Sequence, residues 1–239
     1  MSKPLFEILD WVDTPLGTLY LRRRELLDRA PGTLVTEVVI DHELLMSSLN
    51  TASEEELARR ALAWRGGADE GLRVLVGGLG LGYTARAALA SDRVGRVRVV
   101  EALGAVIEWL RAGKVPLSEA LLADPRLELV EDDVYAALLG APRGDERWDL
   151  ILIDVDHSPS EPLGPVSAPF YTVAGLERVA RHLAPGGVLA VWSALDDEPF
   201  ARALAEAFPA AARERVTWVN ELIDEGEETE DVIFLARAP

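Results

Sequence analysis

The stretch Val74-Leu75-Val76-Gly77-Gly78-Leu79-Gly80-Leu81-Gly82 decides the fold of this chain. Its aliphatic start predicts a buried parallel strand, which runs directly into four glycines within six positions. Glycine accepts a positive φ and lets a ligand approach the backbone closely. A helix is predicted from about residue 83 to 90, and its first turn offers unpaired N–H groups. Gly77, Gly78, Gly80 and Gly82 are therefore predicted to hold a nucleotide-like ligand at the carboxyl end of the strand.

Composition excludes several classes of protein. The 239 residues, 49% of them hydrophobic, are enough for one domain with an appendage or for two small domains. The sequence contains no apolar run of 18 residues and no signal peptide, so we expect a cytoplasmic protein without a membrane partner. Cysteine is absent, which excludes disulfides and thiolate metal sites.

The chain is strongly acidic, with a formal net charge of −17. This charge repels phosphate backbones, so nucleic acid is not expected as a partner. Two interpretations stay open, attraction of a small cationic substrate and simple solubility. Seven carboxylates lie within residues 221–231, which predicts a solvated loop between two late strands.

The pattern of predicted secondary structure changes at about residue 52. Residues 1–52 show three strand-like runs separated by turn signals, which predict a small N-terminal antiparallel β unit. Ser53 is predicted to cap the next helix, with Glu56 completing a capping box.

Within residues 53–239 strand-like and helix-like runs alternate from residue 72 onward, which indicates right-handed βαβ units. The fold class is therefore α/β, with a doubly wound, Rossmann-like, mostly parallel sheet. The last two strand-like runs, 216–219 and 232–236, predict a C-terminal antiparallel hairpin. This pattern is typical of class I S-adenosylmethionine-dependent transferases.

Acidic residues follow three successive strands of the predicted sheet. They are Glu101 after the second strand, Asp132 and Asp133 after the third, and Asp154 and Asp156, together with His157, after the fourth. A carboxylate at the end of the second strand can accept both ribose hydroxyls, and one at the end of the third can accept from an adenine amino group. Each acid alone is also compatible with a helix cap or a solvated loop. Together, beside the glycine turn, they predict a nucleoside site.

A nicotinamide dinucleotide is the competing ligand. Its fingerprint, G-x-G-x-x-G, fails from Gly78, because the third glycine position holds Tyr83. From Gly80 the third position holds Ala85, which some such enzymes tolerate. The predicted hairpin and the acids at Asp132 and Asp133 favour S-adenosylmethionine or a derivative.

Residues 72–192 resemble the spermidine synthase (polyamine aminopropyltransferase) family. The resemblance lies in the glycine stretch, in Val99-Val100-Glu101, in Asp124-Pro125-Arg126, in Asp133 with Leu138, in residues 148–154 and in Phe170-Tyr171. It implies that Glu101 binds ribose, that Asp133 or Asp132 binds adenine, and that Asp154 accepts a proton from an attacking amine. It also implies a homodimer assembled through the N-terminal β unit.

The remaining candidate residues follow the fourth predicted strand in the sequence. Asp156 is a second candidate catalytic acid, and His157 is either a general base or a surface histidine beside the acids. Tyr171 and Trp192 are candidate walls of the substrate pocket, or else core aromatics. No ligand spacing for a metal recurs, so none is expected.

Several departures from the family bear on the substrate. Polyamine-forming members carry an aspartate within the glycine turn, where this chain has Leu81, and residues 46–54 lack their glutamine and tyrosine. Their second aspartate follows the first by three residues, whereas Asp156 follows Asp154 by two. These departures favour methyl transfer from S-adenosylmethionine to a small amine-bearing acceptor. Aminopropyl transfer from decarboxylated S-adenosylmethionine is one alternative, and a non-catalytic nucleoside-binding module is another.

Overall fold

The computed structural model describes residues 5–26, 32–162, 166–219 and 228–239. Within these residues the chain forms a small antiparallel sheet of four strands and a larger sheet of seven. The small sheet has the order β1-β2-β3-β4. Its strands are β1 (Phe6–Thr14), β2 (Gly17–Glu25), β3 (Leu34–Ile40) and β4 (Glu43–Ser47). The fourth strand was not predicted.

The seven-stranded sheet has the order β10-β11-β9-β8-β5-β6-β7. Its five consecutive strands from β9 to β7 pair in parallel, and β11 pairs antiparallel with both of its neighbours. The predicted α/β class, the mostly parallel sheet and the C-terminal hairpin are confirmed. The strands are β5 (Leu72–Gly77), β6 (Val94–Glu101), β7 (Leu127–Glu131), β8 (Trp148–Ile153), β9 (Leu183–Ser193), β10 (Ala210–Trp218) and β11 (Thr229–Arg237).

Helices cover both faces of the large sheet. Side chains of β8 alternate between two hydrophobic clusters, with Leu150 and Leu152 in one and Ile151 and Ile153 in the other. Burial on both faces explains why residues 150–153 of this strand form a continuous apolar run. The helices are α1 (Ala52–Arg65), α2 (Tyr83–Leu89), α3 (Gly104–Arg111), α4 (Ser118–Leu122), α5 (Val134–Leu139), α6 (Val173–Ala180) and α7 (Glu198–Ala207), with a 3-10 turn at Ala168–Tyr171. None of the helices in the described ranges is long and apolar enough to cross a membrane.

One local prediction is wrong, and a second fails only at the end of the segment that it covers. Helix α1 is capped by Thr51 rather than by Ser53, which is buried in the first turn and hydrogen-bonds Asp231. Part of the acidic run, residues 220–227, lies outside the described residues. Its last member, Asp231, belongs to β11 and is buried, because a side chain on that face of the strand points into the protein rather than into solvent.

Candidate functional site

The glycine turn links β5 to α2 in the predicted place. Gly78 has a φ of +92°, and a Cβ there would collide with the carbonyl oxygen of Asp154. Gly82 has a φ of +95° at the start of α2, and a Cβ there would collide with Leu121. Only glycine fits both positions, and at Gly78 the backbone of the turn lies directly against the end of β8.

Glu101, at the end of β6, is bound to this turn. Its two carboxylate oxygens accept the N–H groups of Leu79 and Leu103, each at 2.8 Å. Burial raises the pKa of Glu101, although the backbone donors oppose the shift. Each carboxylate oxygen has more than one lone pair, so Glu101 can still accept from a ligand.

The two aspartates after β7 have different environments. Asp133 caps α5, because its carboxylate accepts the N–H groups of Tyr135 and Ala136 at 2.8 and 3.0 Å. Asp132 is more exposed; it accepts the N–H of Asp133 and lies 3.5 Å from the guanidinium of Arg143. Asp132 is therefore better placed than Asp133 to accept from a ligand.

A cavity of about 330 Å³ opens beside the glycine turn. One wall comes from β4 of the small sheet, including Met46, and another from the turn itself. Three carboxylates reach the cavity from different elements: Glu54 from α1, Asp154 from the end of β8 and Asp231 from β11. The cavity is therefore suited to a cation. In the described part of the chain, no group of three or more acidic or histidine side chains has a geometry that could hold a metal ion.

Asp154 is the one of these acids that lies at the end of a parallel strand, beside the glycine turn. Its Oδ2 accepts the hydroxyl of Thr84 at 2.5 Å, and the same hydroxyl lies 3.3 Å from the carbonyl oxygen of Glu54. Burial raises the pKa of Asp154, and the charge of Asp231 adds to the rise. A carboxylate with a raised pKa accepts a proton more readily, which suits a general base.

Glu54 and Asp231 share this low-dielectric setting. Burial raises the pKa of Glu54, and the nearby charge of Asp154 raises it further. Burial also raises the pKa of Asp231, whose Oδ2 accepts the indole N–H of Trp192 at 3.0 Å. Bringing three acids together without a cation is unfavourable, so a bound ammonium would relieve their repulsion.

The aromatic and histidine candidates lie in different places. Trp192 lines the cavity, and its ring centroid is 6.4 Å from that of His157. His157 also lines the cavity, with its side chain 59% exposed and 3.9 Å from Glu161. Its exposure places it at the entrance rather than beside Asp154.

Asp156 and Tyr171 are absent from the described residues that line the cavity. Asp156 is buried, and its Oδ2 accepts the hydroxyls of Tyr135 and Tyr171 at 2.7 Å each. The ring of Tyr171 packs against Phe200, with centroids 5.3 Å apart. Asp154, His157 and Trp192 thus all line the cavity, with His157 at its exposed side, whereas Asp156 and Tyr171 lie elsewhere.

Sequence reasoning missed Glu54 and Asp231 as site residues. Glu54 is one of three consecutive glutamates, and no local pattern separates it from Glu55 and Glu56. Asp231 directly precedes the predicted strand at 232–236, so its place next to a buried strand was the one available signal.

No protein-family model matches the sequence. Several curated relatives are named polyamine aminopropyltransferases. The one from Mycobacterium tuberculosis is 34% identical over 119 residues, which are 49% of this chain and 22% of that protein. The one from Prochlorococcus marinus is 36% identical over 121 residues, 51% of this chain and 40% of that protein. The one from Hyperthermus butylicus is 29% identical over 153 residues, 62% of this chain and 51% of that protein. The matches thus span about half of these relatives' length or less.

Solved structures share the fold over nearly the whole chain. A spermidine synthase in complex with the transition state analogue AdoDATO superposes with a TM-score of 0.72 at 18% identity, covering 97% of this chain and 74% of that one. Spermidine synthase from Thermotoga maritima superposes with a TM-score of 0.71 at 17% identity, covering 97% of this chain and 73% of that one. The comparisons confirm the resemblance that the motifs indicated. Over about half of its length the sequence is similar to polyamine aminopropyltransferases, and over nearly all of it the fold is that of the solved spermidine synthases.

Proposed function

We propose that this chain is an aminopropyltransferase, which transfers an aminopropyl group from decarboxylated S-adenosylmethionine to a small amine. The observation that carries the proposal is the cavity in which Glu54, Asp154 and Asp231 meet beside the glycine turn. The names of the relatives point the same way. They favour the alternative expectation over methyl transfer, which was the main one.

The charge of the cavity also favours the decarboxylated donor. S-adenosylmethionine carries an α-carboxylate, which the three acids of the cavity would repel. The decarboxylated donor lacks this group and gains net positive charge. An acidic cavity therefore discriminates between the two donors in the direction that aminopropyl transfer requires.

We assign the donor to the carboxyl ends of β5, β6 and β7. Glu101 would accept the ribose hydroxyls, and Asp132 would accept from the adenine, since Asp133 is engaged as a helix cap. The backbone of the glycine turn leaves room for the sulfonium end of the donor. The donor supplies an electrophilic carbon bound to a sulfonium.

We assign the acceptor amine to the acidic cavity. Asp154 would orient the attacking nitrogen and receive its proton as the new C–N bond forms and the C–S bond breaks, releasing methylthioadenosine. Glu54 and Asp231 would hold a second, charged amine of the acceptor, with Trp192 fixing the orientation of Asp231. In this assignment residues 53–239 form the transferase domain and β4 closes the cavity.

The N-terminal unit is proposed to form a homodimer. Large apolar side chains of its sheet are exposed, including Phe6 at 61%, Ile8 at 55% and Trp11 at 63%. Sedimentation of the wild type and of a Phe6→Ser/Trp11→Ser variant tests this assignment. A wild-type monomer would contradict it.

Product analysis tests the transfer itself. The purified protein is incubated with decarboxylated S-adenosylmethionine and one amine from a series, such as 1,3-diaminopropane, putrescine, cadaverine or spermidine. Methylthioadenosine and an acceptor enlarged by one aminopropyl group are expected. A parallel incubation uses S-adenosylmethionine. Formation of S-adenosylhomocysteine and a methylated amine there, without methylthioadenosine in the first incubation, would overturn the proposal in favour of methyl transfer.

A further inference from the structure

Asp156 carries a buried carboxylate that the proposed chemistry leaves unused. Its Oδ2 accepts the phenol hydroxyls of Tyr135 and Tyr171 at 2.7 Å each, and the two phenol oxygens are 2.9 Å apart. Burial raises the pKa of both phenols, so both keep their protons and can donate. Hydrogen bonds to a carboxylate are about twice as strong as neutral ones, so this arrangement holds Asp156 in one orientation.

The two tyrosines belong to different parts of the fold. Tyr135 lies in the first turn of α5, two residues after Asp133, on the donor side of the site. Tyr171 ends the 3-10 turn that precedes α6. Asp156 therefore ties the segment after β8 to two elements that flank it.

That segment rests directly on the glycine turn. The N–H of Asp154 donates to the carbonyl oxygen of Gly77 at 2.9 Å. A Cβ on Gly78 would collide with the carbonyl oxygen of Asp154 and would lie 3.2 Å from Val155. A shift of this segment would therefore displace both the proposed base and the wall of the donor turn.

We propose that Asp156, held by Tyr135 and Tyr171, is a positioning residue that fixes Asp154 against the glycine turn. The catalytic part of this inference rests on the proposed function. A displacement of about 1 Å at reacting groups costs on the order of 100-fold in rate. Because the tyrosines lie outside the residues that line the cavity, their loss should affect kcat more than the KM of the acceptor.

Steady-state kinetics test the proposal with a Tyr135→Phe/Tyr171→Phe variant, which keeps the rings, and with Asp156→Ala. We expect kcat to fall about 10- to 100-fold and the acceptor KM to change less than about threefold. The acidic limb of the profile of kcat against pH should shift, because Asp154 would lose its fixed environment.

Tyr20→Phe, which removes a remote hydroxyl contact to the carbonyl oxygen of Asp41, is the matched control. A kcat within twofold of the wild type, or a loss that follows the folded fraction with an unmoved pH profile, would overturn the proposal.

Hydrogen–deuterium exchange supplies a test that needs no turnover. The amide of Asp154 should exchange faster in the Tyr135→Phe/Tyr171→Phe variant, while amides in the centre of β9 keep their protection. Unchanged exchange at Asp154 would overturn the positioning role. A wild type without aminopropyl transfer would instead count against the proposed function, and the exchange result would still decide the role of Asp156.

Discussion

The two halves of the site are built in different ways. The donor half comes from the ends of β5, β6 and β7, three strands that are adjacent in the sheet and consecutive among its strands along the chain. The acceptor half takes its acids from Glu54, Asp154 and Asp231, which are 100 and 77 residues apart in sequence. Local patterns therefore show the donor half, whereas only the tertiary structure shows the acceptor half.

The difference predicts that substitutions in each half affect different kinetic parameters. Asp154, which contacts both the glycine turn and the acidic cavity, belongs to both halves. Asp154→Asn removes the proposed base while keeping one oxygen for Thr84. We expect kcat to fall about 10²- to 10⁴-fold, the range for loss of general acid–base catalysis, with donor binding retained. Methylthioadenosine release measures the rate, and calorimetry with methylthioadenosine measures binding.

Asp149→Asn is the matched control for this substitution. It lies on the same strand, β8, at the opposite end, where its carboxylate accepts the N–H of Arg73 at 2.9 Å. We expect near wild-type turnover from it. Turnover by Asp154→Asn at the level of this control would show that Asp154 is not the base.

The donor half is tested by Glu101→Gln. The change removes the charge that would hold both ribose hydroxyls and replaces one accepting oxygen by a donor. Hydrogen bonds to a charged group contribute about 1.5–3 kcal/mol, so we expect the Kd for methylthioadenosine to rise about 10- to 100-fold. The acceptor KM should stay nearly constant. Glu128→Gln, on β7 and paired with Arg96 and Arg98, is the control.

Much of the donor half was predictable from sequence for physical reasons. A strand segment buried on both faces must be apolar, as β5 is from Val74 to Val76, and a turn that touches the backbone of Asp154 must be glycine at Gly78. The roles of Asp132 and Asp133 were harder to separate. Which of two adjacent carboxylates caps α5 depends on backbone angles that composition does not reveal.

The acceptor half was hidden because its residues look ordinary in their local context. Ser53 matches a helix cap, yet the N-cap of α1 lies two residues earlier, at Thr51, and the Ser53 side chain hydrogen-bonds Asp231 instead. Asp231 ends a run of acids, and the antiparallel pairing of β11 with β9 brings it beside Trp192. Strand pairing across the sheet decides this contact, and no short sequence window contains it.

The acceptor half is tested by Glu54→Gln and Asp231→Asn. Each removes one of the charges assigned to a second amine, so we expect the KM of a diamine to rise about tenfold, as for loss of a partly screened ion pair. A monoamine of similar length should respond less, because it has no second charge to lose. Donor affinity should be unchanged.

Glu56→Gln and Glu230→Gln serve as controls, because these neighbours pair with Arg60 and Arg215 instead of facing the cavity. An equal rise of KM for monoamine and diamine would reject the assignment of a second amine to these acids.

The smallest expected effect is on stability. Burial and mutual repulsion raise the pKa of Glu54, so between about pH 4, the ordinary carboxylate range, and the raised value the folded chain binds a proton that the unfolded chain has released. Stability must therefore fall as pH rises through this window. Glu37 and Asp124, whose pKa values are lowered by paired arginines, act oppositely, but their stabilisation is lost only as the pH falls below about 4.

The Glu54→Gln variant cannot take up this proton. The contribution of Glu54 to the fall in stability with rising pH should therefore be absent from it. We expect the variant to melt a few degrees above the wild type at pH 8, since about 1 kcal/mol corresponds to roughly 2–4 °C in a protein of this size. The difference should vanish near pH 4. A diamine should raise the Tm of the wild type more than that of the variant, because a bound ammonium offsets the repulsion only where the charge is present. A variant less stable than the wild type at pH 8 would mean that Glu54 stabilises the fold. The acceptor half would then lack the unpaired charge that distinguishes it from the donor half.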